Sequence, residues 1–176
     1  MLNTERLEKA LEYARTKHEG QYRKGGEAYI THPQAVADML EAKGFGEEYQ
    51  IAGLFHDLLE DTDAREEDIE ALGGSQVLEA VQLLTKKKGY VMAEYIAGVR
   101  ANPMARAVKA ADRLHNLQSA VIADDKFKRK YILESINWYL DFDPEIPPAV
   151  RALADTLESP ARDLLDRMAT QNVDAV

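Results

Sequence analysis

The sequence contains no cysteine. A disulfide framework is therefore excluded, and so is any metal site built on thiolates. A reducing compartment fits this composition, and the cytoplasm is the expected location. No apolar run approaches the length of about 18 residues that a bilayer span needs, so no membrane segment is expected. The opening, Met1 to Lys9, is polar and lacks the apolar stretch of a signal peptide. Positive charge is also scarce. The formal net charge is -9, which argues against nonspecific binding to nucleic acid or anionic membranes. An anionic small molecule stays compatible where positive charge is local, as at Arg23-Lys24 and Lys86-Lys87-Lys88. No convincing strand pattern, internal repeat or low-complexity tract is present.

What is there is helical. The chain has 176 residues, 45% of them hydrophobic, enough for one domain with a real core. The apolar period is near 3.6 almost throughout. Leu7, Leu11 and Ala14 line a first helix. Pro33 suits the first position of a second, with Val36, Ala37 and Leu40 inside. Ile51, Leu54, Phe55 and Leu58 line a third. Asp63 followed by Glu66 reads as the capping signal of a fourth. Val77 to Leu84 marks a fifth, Tyr95 and Val99 a sixth. Asn102-Pro103 opens a seventh that runs to about Ala123. Tyr131 to Leu140 gives an eighth, Val150 to Leu157 another, and Ser159-Pro160 starts the last. The expected class is all-α, one compact domain over residues 1–170 with a frayed tail at 171–176. The apolar face near Tyr131 to Trp138 is a candidate homodimer surface, although nothing in the sequence requires one.

The densest chemistry lies in Phe55-His56-Asp57-Leu58-Leu59-Glu60-Asp61-Thr62. A histidine and an aspartate sit side by side on an apolar helix, where isolated charges are expensive to bury. A metal ion would compensate, and so would an ion-paired core network. His32 at a helix start and Asp112 in Lys109 to Leu117 would complete a set of two nitrogens and two carboxylates. Such a set suits manganese, iron or zinc better than calcium or magnesium. Water at such an ion ionises near neutral pH. Glu60 and Asp61 follow His56 and Asp57 by four residues each, so they project to the same side. They are either proton-handling groups or a solvated acidic pair at a helix C-terminus, a place where the helix dipole disfavours negative charge.

His18-Glu19-Gly20-Gln21-Tyr22-Arg23-Lys24-Gly25-Gly26-Glu27-Ala28-Tyr29-Ile30-Thr31-His32-Pro33 resembles the opening signature of the alarmone hydrolases, HD-domain enzymes of the Rel/Spo type. Phe55 to Thr62 resembles their second signature and Lys109 to Leu117 their third. The three come in the family's order over roughly the first 120 residues. The resemblance implies an all-helical HD fold and one divalent metal, usually manganese, on His32, His56, Asp57 and Asp112. It also implies catalytic roles for Glu60 and Asp61 in orienting water and managing the leaving group's proton. Arg23, Lys24 and Asn116 would contact the nucleotide, with Lys109 as a further phosphate contact. Tyr29 would support the loop that delivers His32, and His18 would be structural. Lys86 to Lys88 would meet a diphosphate or form an ordinary surface turn.

Two departures stand out. Ala28 takes the place where these hydrolases commonly carry proline. The stretch from Leu84 to Pro103 is shorter than in the long bifunctional enzymes and closer to small HD phosphohydrolases. No synthetase half follows in this sequence, so alarmone synthesis is not expected. The leading expectation is a metal-dependent pyrophosphohydrolase that removes the 3′-diphosphate of guanosine tetra- or pentaphosphate. The alternatives are an HD phosphohydrolase acting on a nucleoside monophosphate, the 2′-phosphate of NADPH or a phosphodiester, and a nucleotide sensor without turnover.

Overall fold

Thr4 caps the first helix: its Oγ1 accepts from the Leu7 N–H, and α1 runs Glu5–Lys17. Glu5 and Glu8 in its first turn, and Arg15 and Lys17 in its last, complement the helix dipole. The computed structural model describes residues 4–158 and 162–173. Among these the regular structure is α-helical, with short 3-10 helix at Ala120–Ile122 and one isolated antiparallel bridge between Tyr22 and Ala28. The fold is all-α. No described helix is long and apolar enough to cross a membrane. The described chain forms two compact units, 1–112 and 113–176, and the division falls within one helix.

In the first unit, α2 is Thr31–Ala42 and α3 is Glu47–Phe55. Pro33 is the third residue of α2 rather than its first, so His32 lies inside the first helical turn. There the missing proline N–H costs nothing, because first-turn amides have no partner within the helix. α3 packs against α1, α2, α5 (Glu66–Gly73) and α6 (Ser75–Leu84). Ile51, Ala52, Leu54 and Phe55 are buried there. Gly53 permits the close approach to α2. A Cβ at this position would lie 3.0 Å from Leu40 Cδ1 and 3.3 Å from the Ala37 amide nitrogen.

The expected continuous third helix breaks at His56-Asp57, and α4 (Leu58–Asp61) follows. Asp57, at φ -101° and ψ -2°, occupies the sparsely populated bridge region, which turns the chain between α3 and α4. The expected Asp63 cap is also absent: α5 starts at Glu66, and the Asp63 carboxylate binds Lys17 Nζ at 2.9 Å instead. α7 is Met92–Ala101 and α8 is Pro103–Ser119. Asn102 caps α8, its Oδ1 accepting from the Ala105 N–H at 2.9 Å.

The second unit continues α8 and adds α9 (Asp125–Trp138), α10 (Ile146–Ala154) and α11 (Arg162–Val173). α9 packs against α10 and α11. It begins earlier than the apolar pattern suggests, because Asp124 caps it by accepting from the Phe127 N–H. Ile132 and Ile136, on the stretch from Tyr131 to Trp138 that offers a candidate dimer surface, are buried within this unit. The Arg113 guanidinium lies 4.1 Å from the ring centroids of both Tyr131 and Tyr139 and pairs with Glu134 at 2.7 Å. The Ser159-Pro160 start expected for the last helix lies outside the described residues. Helix α11 reaches Val173, and residues 174–176 of the expected frayed tail lie outside as well.

Candidate functional site

Three segments of the first unit converge: the first turn of α2, the break between α3 and α4, and α8. They bring His32, His56, Asp57 and Asp112 together. His32 Nε2 lies 2.9 Å from Asp112 Oδ1 and 3.9 Å from Asp57 Oδ2. His56 Nε2 lies 3.1 Å from Asp57 Oδ2 and 3.4 Å from Asp112 Oδ1. His32, His56 and Asp112 are buried, and Asp57 nearly so.

Neighbouring groups orient each of these side chains. His56 Nδ1–H donates to the Gly53 carbonyl at 2.6 Å, which directs Nε2 at the carboxylates. The Tyr29 hydroxyl donates to Asp57 Oδ2 at 2.6 Å. Lys109 Nζ holds Asp112 Oδ2 at 2.9 Å, which leaves Oδ1 facing the two imidazoles. Burial opposes charge on His56, but the Asp57 and Asp112 carboxylates outweigh it and raise its pKa well above the usual histidine value. Burial also favours the neutral forms of the two aspartates. Against it, His56 lowers the Asp57 pKa, while Lys109 and the histidines lower that of Asp112. For His32 burial dominates and holds the pKa below the usual histidine value, although the Asp112 carboxylate opposes it.

This arrangement fits a divalent ion. Donor atoms about 2.0–2.2 Å from a shared ion sit roughly 3 Å apart at right angles and farther at wider angles, the range seen here. His56 Nε2 is buried and makes no hydrogen bond despite the nearby oxygens, a geometry that suits a metal ligand better than a hydrogen-bonded core. His32, His56 and Asp57 each offer an atom within 4.8 Å of the others.

Glu60 and Asp61, on α4, offer carboxylate oxygens within 4.8 Å of each other and of Asp57. Glu60 Oε1 accepts from the Lys86 backbone N–H at 2.7 Å, so the lysine turn docks on this carboxylate through its main chain. Burial, then the charges of Asp57 and Glu60, push the Asp61 carboxyl up to about 6. Arg23 and Lys24 lie on a small hairpin. There the Arg23 N–H donates to the Glu27 carbonyl at 2.8 Å, and the Tyr29 N–H to the Gln21 carbonyl at 2.8 Å. Gly26, at φ +94°, makes the turn. The Arg23 guanidinium lies 5.9 Å from the Tyr29 ring centroid, two contacts from Asp57. Lys24 is exposed. Asn116, half-buried, belongs to the second unit, where α8 continues.

Sequence reasoning missed three supports. The Gly53 carbonyl stands three residues before His56, a spacing that could have suggested the contact. The Tyr29–Asp57 and Lys86–Glu60 bonds span 28 and 26 residues, and no local pattern announces them.

The chain is similar to the guanosine-3′,5′-bis(diphosphate) 3′-pyrophosphohydrolase of Aquifex aeolicus (strain VF5), at 32% identity over 145 residues, 78% of this chain and 21% of the relative. It is 35% identical over 145 residues to the bifunctional (p)ppGpp synthase/hydrolase SpoT of Escherichia coli (strain K12), covering 76% of this chain and 21% of that protein. The chain thus spans about a fifth of the length of these relatives. A solved structure described as a metazoan ortholog of SpoT that hydrolyzes ppGpp shares the fold, with a TM-score of 0.66, 24% identity and 98% coverage of both chains. The family model of the HD domain matches residues 10–141. That match covers most of the chain and encloses the four converging donors, and the chain belongs to the HD-domain family.

Proposed function

We propose that this chain hydrolyses the 3′-diphosphate of guanosine tetra- or pentaphosphate, releasing pyrophosphate and GDP or GTP. Membership of the HD-domain family implies a divalent metal. In this reading the ion is manganese, held by His32, His56, Asp57 and Asp112. The observation that carries the reading is the convergence of these four donors, with His56 Nε2 lacking a hydrogen bond among them. The names of the two bacterial relatives support the choice of substrate. When bound, the ion supplies charge stabilisation to the phosphoryl group and water that ionises near neutral pH.

The chain's own residues do the rest. Water attacks the phosphorus bonded to the 3′ oxygen, the P–O3′ bond breaks, and the 3′ oxygen takes a proton. Asp61, pushed up to about 6, is suited to hold and transfer that proton near neutral pH. Glu60, fixed by the Lys86 amide, orients water beside it. Arg23 presents a planar guanidinium that can stack on the purine, with Lys24 as a further nucleotide contact. Lys109, paired with Asp112, stands beside the site as a second cation for phosphate. The setting is cytoplasmic, where guanosine nucleotides are made.

Pyrophosphate release from guanosine tetraphosphate with manganese tests the reading, beside Asp57→Ala and a panel of nucleoside monophosphates, phosphodiesters and NADPH. Release by the parent and loss in the variant are the expected result. Turnover of another panel member alone would keep the metal chemistry and overturn the substrate.

A further inference from the structure

His18 is 2% exposed, yet the proposed chemistry does not use it. It caps the C-terminus of α1. Its Nδ1 lies 2.8 Å from Gln21 Oε1, and Gln21 Nε2 lies 2.8 Å from the Asp61 backbone carbonyl. That carbonyl can only accept, so the Gln21 amide nitrogen faces it and the amide oxygen faces the imidazole. Nδ1 therefore carries the hydrogen. Burial holds the ring's pKa below the usual histidine value, so Nε2 bears an electron pair, and this buried atom has no hydrogen-bond partner. On its other side the ring packs on Tyr29, with centroids 4.8 Å apart, and the Tyr29 hydroxyl donates to Asp57. One imidazole thus feeds two routes into the same short segment. The first ends on the backbone of Asp61, at the C-terminal end of α4. The second ends on the Asp57 carboxylate, just before α4.

An apolar side chain would fill this space without stranding a buried acceptor, so packing alone does not account for a histidine here. We propose that His18 is a positioning residue: through Gln21 and Tyr29 it fixes the turn from Asp57 to Asp61. It thereby sets the separation between the ligand carboxylate and the acidic pair. The effect on turnover rests on the proposed function, whereas the effect on the turn does not.

The test uses the full chain with His18→Leu, His18→Asn and Gln21→Met, reading amide hydrogen exchange over residues 57–62 together with kcat and KM. Leucine keeps the volume and removes the donor, whereas the asparagine amide can replace Nδ1–H. Loss of the bracing hydrogen bonds in His18→Leu and Gln21→Met is expected to raise exchange over 57–62 about tenfold and leave α6 and α9 unchanged. It lowers kcat by about tenfold with KM within about twofold, as expected for a geometry fault rather than a binding fault. His18→Asn restores the Gln21 route alone and so recovers part of both. Unchanged exchange over 57–62 in a folded variant overturns the proposal, as does a uniform rise across the chain without rescue by asparagine. If His18→Leu does not fold, the half-buried Gln21→Met carries the same readouts. If the parent lacks turnover of guanosine tetraphosphate while exchange responds as expected, the brace stands and the substrate reading falls.

Discussion

Asp57 Oδ2 serves three neighbours at once. It accepts from the Tyr29 hydroxyl at 2.6 Å and faces His56 Nε2 at 3.1 Å and His32 Nε2 at 3.9 Å. The tyrosine hydroxyl holds the carboxylate in place without neutralising it, so that oxygen keeps its charge toward the imidazoles. Tyr29→Phe removes this one donor and keeps the ring against His18. Loss of such an outer partner typically costs about 10- to 100-fold in metal affinity. A fall of that size is expected for manganese, measured by titration calorimetry, and an unchanged affinity would show that the hydroxyl does not orient the carboxylate. The pairing of His56 with Asp57 was visible in the sequence because the two are adjacent. His32 and Asp112 were visible only as parts of longer signatures, since nothing in spacing says that residues 32 and 112 meet. The Tyr29 contact was not visible, because a hydroxyl in a loop carries no mark of its distant partner.

At the scale of elements, the two helices that carry His32 and lead to His56 are held together by the absence of a side chain at Gly53. Gly53→Ala drives a methyl to 3.0 Å from Leu40 Cδ1 and 3.3 Å from the Ala37 backbone nitrogen. The leucine can give way, but the backbone of α2 cannot without moving the turn that carries His32. Overpacking of this kind costs about 1–3 kcal/mol. Urea unfolding should show a lower midpoint with an unchanged slope, and equal midpoints would mean that α2 and α3 tolerate the methyl. Asn102→Ala removes the α8 cap and is expected to cost about 1 kcal/mol in the same measurement. The elements themselves were largely legible. Val77, Ala80, Val81 and Leu84 mark α6 because its buried face repeats at helical spacing. The break before α4 was not legible, since Leu54, Phe55 and Leu58 keep an apolar period whether or not the backbone turns at His56-Asp57. The Asp63 cap misled because a carboxylate three residues before Glu66 looks the same whether it accepts from an amide or from Lys17. The start of α9 was hidden by Lys126, Lys128, Arg129 and Lys130, whose charges mask the helical period.

For the molecule as a whole, charge ties stability to the proposed metal. The chain carries a formal -9, and the site places Asp57, Asp112, Glu60 and Asp61 close together around two histidines. Without a cation, the buried carboxylates are balanced by Lys109 and by the proton that they favour on His56, so folding must hold like charges together. A bound divalent ion relieves that repulsion in the folded state and has no comparable site in the unfolded chain. All four proposed ligands lie within 1–112, so melting of that unit should respond. Free manganese at about 100 times its Kd adds about 2.7 kcal/mol of stability, or roughly 5–10 °C in Tm for a chain of this size. Calorimetry of chelator-treated protein, with and without manganese, reads this directly. The parent is expected to shift and Asp57→Ala to shift far less. Equal shifts in both would place manganese elsewhere on this acidic surface, and no shift in the parent would leave the four donors as an ion-paired core.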